Sequence, residues 1–248
     1  MSTILSIVII CILIAVIAIY IFNYSPRNKQ NIRDLYTEGL DLLISGRRKE
    51  AYNNFKTIID KDTNNIGAYI KLGQVVREGG NPKQALKIHK GLLYRKKLNN
   101  FDKLELHKNL VLDYYLSKNH HLAVSELNSI LIIDKNNEWA ISQLIKYFIQ
   151  SEQWKNASIY LIKYNDIKKI SGSRKLALFK IQQGRKMVEK SQFEESRLIY
   201  EEAINLYSDL SIAYYYIGNS YSVESEIFYK KATEKDVDIN SNDYSKNM

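Results

Sequence analysis

The feature that most constrains this chain is a recurrence of small residues at an interval of 34. Gly39 and Ala51 return as Gly73 and Ala85, and the residues behind them, Phe55 and Ile58, return as His89 and Leu92. A recurrence of this length is the size of one helix–turn–helix unit, and small residues at fixed places let its two helices approach closely. A single hairpin of this kind leaves one apolar face open, so successive hairpins must stack. The pattern continues with insertions. Tyr114, Ala123, Leu127 and Ile130 form a third set, and Leu144, Phe148, Ala157 and Leu161 a fourth, with Trp154 opening its second helix. Gly184, Phe193, Tyr200 and Ala203 form a fifth, with Ser196 at the small position. Ala85 to Ala123 is 38 residues and Ala157 to Ser196 is 39, so helices near 102–117 and 173–190 are expected to be about one turn longer.

Tyr69-x-x-Leu72-Gly73 matches the aromatic-x-x-Leu-Gly opening of the tetratricopeptide repeat, TPR. The expected fold class is all-α: a TPR superhelical solenoid of about five to six repeats over residues 32–235, behind an N-terminal transmembrane helix. A sixth set opens with Tyr214, Ile217, Gly218 and Tyr221, then loses about five residues before Ser225, Tyr229 and Ala232. The turn between its helices is missing, so this pair is either shortened or fused into one helix. Residues 236–248 are polar and aperiodic and are expected to be a disordered tail.

The first 26 residues carry no charged side chain, and the 19 residues from Ile4 to Phe22 include 14 of Ile, Leu, Val or Phe. As a helix this segment is about 28 Å long, close to the roughly 30 Å hydrocarbon core of a bilayer. Tyr20 and Tyr24 fall where an interfacial aromatic belt lies, and Ser25-Pro26 ends the helix. A cleaved signal peptide fits less well, because the segment lacks a positive n-region and a small-x-small site before Arg27. Residues 1–25 are therefore expected to be an uncleaved anchor that meets the membrane through 4–22, with 26–31 as a basic linker. Arg27, Lys29 and Arg33 follow the helix and no positive side chain precedes it, so the body is expected to lie in the cytoplasm.

Composition narrows the function. The formal net charge is +9 over 248 residues, but the lysines are spread along the chain with no RNP-type aromatic motif or finger spacing, so no nucleic-acid partner is expected. Cys11 is the only cysteine, which removes intrachain disulfides and cysteine metal sites. No nucleophile elbow, P-loop, zinc-protease helix or dinucleotide fingerprint is present. His120 and His121 lie at a turn, His107 is one helix earlier, and His89 stands at a packing position; none has the further ligands a metal needs. The chain is expected to be no enzyme, to use no cofactor, metal or small-molecule substrate, and to bind proteins. By repeat geometry the first helices line a concave groove, whose expected contributors are Tyr36, Gln74, Arg77, Lys108, Tyr115, Lys146 and Arg185. Aromatic and cationic side chains together suit an extended or acidic peptide.

The order of parts resembles one family. The anchor, the basic linker and the stretch from Gly73 to Leu93, with Ala85-x-x-x-His89 in its second helix, are similar to the lipopolysaccharide assembly protein B family. The similarity runs collinearly through Lys61-Asp62-Thr63, the longer third repeat, Gln153-Trp154-Lys155-Asn156-Ala157 and the extended fifth repeat, over essentially residues 4–232. It implies a bacterial inner-membrane protein with cytoplasmic repeats. Family members act as adaptors that bring the deacetylase committing precursor to lipid A synthesis to a membrane-bound AAA protease, and so set lipopolysaccharide output. The paired Cys-x-x-Cys motifs of the family's C-terminal rubredoxin-like module do not occur in these 248 residues, so no metal is carried over. The alternative expectation is a structural assembly factor for an envelope complex, facing the periplasm.

Overall fold

The structure, a computed structural model, describes residues 31–95 and 98–242, together with Leu13, Ile14, Val16 and Ile17. Those four are helical and exposed; the rest of the expected anchor and linker up to residue 30 lies outside the described residues. Among the described residues no helix is long and apolar enough to cross a membrane. They hold eleven helices and no strand. These form two compact units that part between Leu98 and Asn99.

The first unit contains two hairpins, α1 (Ile32–Ile44) with α2 (Arg48–Lys61), and α3 (Ile66–Glu78) with α4 (Pro82–Leu93). The second contains α5 (Asn100–Leu116) with α6 (His120–Ile133), α7 (Glu138–Gln150) with α8 (Trp154–Lys168), α9 (Ser173–Val188) with α10 (Phe193–Leu206), and finally α11 (Ser211–Asn242). Each hairpin is TPR-like, and within each unit each helix packs on the next. The two inserted stretches lengthen first helices as expected: α5 has 17 residues and α9 has 16, against 13 for α1, α3 and α7.

Asparagine starts most of the first helices. The side chains of Asn65, Asn99 and Asn137 accept the backbone N–H of Ala68, Asp102 and Ala140 at 3.0, 2.8 and 3.1 Å, and Asn31 accepts that of Arg33 at 3.3 Å. A short acceptor side chain at this place satisfies one of the N–H groups that a helix start leaves open. The fifth first helix departs from this: α9 begins after Gly172, which offers no side chain.

Helix pairing within a hairpin follows a size rule. Twelve residues before Ala51, Ala85, Ala123, Ala157 and Ser196 stand Gly39, Gly73, Val111, Ile145 and Gly184. Sixteen residues after each of these stand Phe55, His89, Leu127, Leu161 and Tyr200. Glycine thus faces a ring, and a branched residue faces leucine, and all ten are buried. A Cβ added at Gly73 would lie 2.3 Å from His89 Nε2, and one at Gly184 would lie 2.4 Å from Tyr200 Cε1. The close approach is a matched-volume fit.

The last helix settles the alternative left open by the sequence. The sixth pair is fused into one helix of 32 residues, because no glycine or proline after Gly218 supplies a turn. Its N-terminal part joins a core of Ala177, Ile181, Tyr200, Ala203, Leu210 and Ala213. The helix continues to Asn242, seven residues into the stretch expected as a disordered tail from 236; residues 243–248 lie outside the described residues.

Candidate functional site

Three of the seven expected groove residues belong to the first unit, and none of the three stands open to solvent. Arg77 corrects the expectation most sharply: it is 7% exposed and interacts within the fold. The reason is positional. Helix α3 is covered by α2 on one side and α4 on the other, so buried side chains occur around most of its circumference. Arg77 also sits in the last turn, where the helix dipole favours a cation. Tyr36 is half-buried; its ring packs edge-on against Phe55 at 5.6 Å and its hydroxyl lies over Gly67. Gln74 accepts from Lys71 Nζ at 3.1 Å and donates to Glu78 Oε1 at 2.9 Å, along one face of α3.

The second unit holds the other four. Lys108 is half-buried and paired with Glu105 at 3.0 Å. Tyr115 and Lys146 are exposed, and they share one cleft of about 280 Å³ between α5 and α7, floored by Leu112, Leu127 and Tyr147. The Tyr115 hydroxyl reaches Gln150 Oε1 at 3.4 Å, and its ring meets that of His120 at 5.1 Å. Arg185 is exposed on α9, with its guanidinium over the Tyr216 ring at 5.2 Å. Of the four in the second unit, Tyr115 and Lys146 share this cleft, and Lys108 and Arg185 do not line it.

Lys146 also borders a larger cleft of about 740 Å³, formed by α7, the α8–α9 loop and the start of α9. Ile145, Ile149 and Leu178 give it apolar walls, and Arg174 and Lys175 add two cations that the sequence reading missed. A signal for them was present. Cations in the first turn of a helix oppose its dipole, and α9 carries two there with no acidic residue to offset them. His107, set aside as a metal ligand, contacts Glu126 through Nδ1 at 2.6 Å and ties α5 to α6. Among the described residues no group of three or more His, Cys, Asp or Glu side chains could hold a metal ion.

No family model matches this chain. It is 24% identical over 122 residues to lipopolysaccharide assembly protein B of Escherichia coli strain K12, a match that takes in 49% of this chain and 31% of that protein. The chain thus spans less than a third of the length of that relative. Among solved structures, a tetratricopeptide repeat protein from Parabacteroides merdae aligns with a TM-score of 0.50 at 17% identity, over 84% of this chain and 79% of its own. A MamA structure from Desulfovibrio magneticus aligns with a TM-score of 0.50 at 16% identity, over 60% of this chain and 82% of its own. These two likenesses bear on the fold alone, and the fold they support is the all-helical TPR-like one.

Proposed function

We propose that this protein is a membrane-anchored TPR adaptor that binds protein partners through the first-helix face of its second unit and acts in lipopolysaccharide or envelope biogenesis. The observation that carries the scaffold reading is the pair of clefts on α5, α7 and α9, where exposed Tyr115 and Lys146 stand beside apolar walls. Such a mixture suits a polypeptide segment. The envelope role rests on the 24% match to lipopolysaccharide assembly protein B and on the collinear resemblance of the sequence. By the same resemblance the partners are a membrane AAA protease and the deacetylase of lipid A synthesis. The apolar run at 4–22 and the basic residues after it favour an inner-membrane location with the repeats in the cytoplasm. Confining adaptor and partner to one membrane raises their effective concentration, so modest clefts suffice.

The test is affinity capture from native membranes with the full chain in neutral detergent. The chain is expected to retain the protease, the deacetylase or both. Lys146→Glu, at an exposed position, should lower recovery several-fold while leaving stability within about 0.5 kcal/mol. A C-terminal reporter that is active only in the periplasm, or recovery of neither class of partner, would contradict the reading.

A further inference from the structure

The cleft at the start of α9 has the chemistry of an anion site. It is bordered by Lys146, Arg174 and Lys175, none of which is in an ion pair among the described residues, and no Asp or Glu lines it. Arg174 and Lys175 lie in the first turn of a 16-residue helix, where the backbone N–H groups point outward and the dipole end is positive. Three cations against a positive helix end are mutually unfavourable without a counter-charge. Helices α3, α5 and α7 close their starts with an asparagine side chain, whereas α9 starts at Gly172 with none.

A second observation is independent of the helix. Asn165, in the last turn of α8, is 7% exposed, and its side-chain amide has no hydrogen-bond partner among the described residues. It lines the same cleft, over the start of α9: a Cβ added at Gly172 would lie 1.8 Å from its Nδ2. Only glycine at 172 lets the amide lie there. The residue is largely buried while its amide keeps an open side toward the cleft, so a ligand acceptor there would find a positioned donor. The amide, the open helix start and the cations border one space whose apolar walls include Ile145, Ile149 and Leu178.

We infer that this cleft receives an acidic peptide segment in which carboxylates alternate with apolar side chains. The carboxylates meet the start of α9, Arg174 and Lys146, Asn165 donates its amide hydrogens to one of them, and the apolar side chains lie on the isoleucines. This inference rests on the scaffold reading and specifies the segment of the partner that binds.

The experiment uses the full chain in neutral detergent and a fluorescein-labelled ten-residue peptide alternating glutamate and leucine, followed by anisotropy. The peptide should bind, more weakly as salt rises, and its lysine–leucine counterpart should not. Asn165→Asp, which keeps the side chain's shape, and the double variant Lys146→Glu/Arg174→Glu should each weaken binding by about tenfold or more. Arg174→Glu puts a negative side chain at a helix start, which the dipole favours, so thermal unfolding of the double variant should occur at or above the parent temperature. Equal peptide affinity in parent and variants overturns the proposal. So does stabilisation by inorganic phosphate without peptide binding, which would make this a small-anion site. If Asn165→Asp and Arg174→Glu capture the membrane partners as well as the parent does while Lys146→Glu does not, this site fails and the scaffold reading stands; if the parent captures none, the scaffold reading itself fails.

Discussion

Gly73→Val is expected to destabilise the first unit by about 3 kcal/mol, the upper end of ordinary overpacking. Its Cβ alone would fall 2.3 Å from His89 Nε2, inside a fully buried ring. The ring cannot move away freely, because Nε2 lies 3.1 Å from the Ile70 carbonyl. A carbonyl only accepts, so Nε2 carries the hydrogen in this bond. His89→Leu alone should cost about 1–2 kcal/mol, through the lost hydrogen bond. The two changes together reproduce the pair at Val111 and Leu127, which is buried in the equivalent place of the third hairpin. The double variant is therefore expected to recover more than half of the loss, with a coupling of about 1–2 kcal/mol. Equilibrium denaturation of the four proteins gives the cycle. Additive losses would mean that the size rule is accidental.

The second large effect is alkaline. Burial, helped by the neighbouring Tyr216 and opposed by Arg185, raises the Tyr200 phenol from 10.0 to about 12. In the unfolded chain the group ionises near 10, so between pH 10 and 12 the folded state holds a proton that the unfolded state has released. Stability is thus fully present below pH 10 and falls as pH rises toward the folded value. Two units at 1.36 kcal/mol each give a loss of about 3 kcal/mol. Lysines titrate in the same range, so the informative quantity is the difference from Tyr200→Phe, which should lack this part of the slope. Parallel denaturation curves for the two proteins from pH 9 to 12 would show that the phenol ionises without cost.

Much of the hairpin architecture was legible because close helix packing demands small residues, and these stand at a readable interval. Gly39, Ala51, Gly73, Ala85, Ala123, Ala157, Gly184 and Ser196 are all buried where the recurrence placed them. The binding face was less legible. A periodic pattern says which helix is first in a pair but not how much of its circumference a neighbour covers, and this is why Arg77 was assigned to solvent and is buried. Tyr36 failed for a related reason: an aromatic on a first helix can fold back onto its own hairpin, as this one does onto Phe55. Arg174, Lys175 and Asn165 escaped the repeat pattern because they belong to the connection between hairpins and its flanks. Their trace in the sequence was a local inconsistency, two cations at a helix start, and such inconsistencies concentrate at functional sites.

Hydrogen exchange read by mass spectrometry, on the full chain with and without a captured protein partner, tests the binding face most directly. Partner binding through the clefts of the second unit predicts slowed exchange in residues 142–149 of α7 and 171–178 at the start of α9, with α8 and α10 little changed. Slowing confined to α8 and α10, or to the first unit, would contradict it.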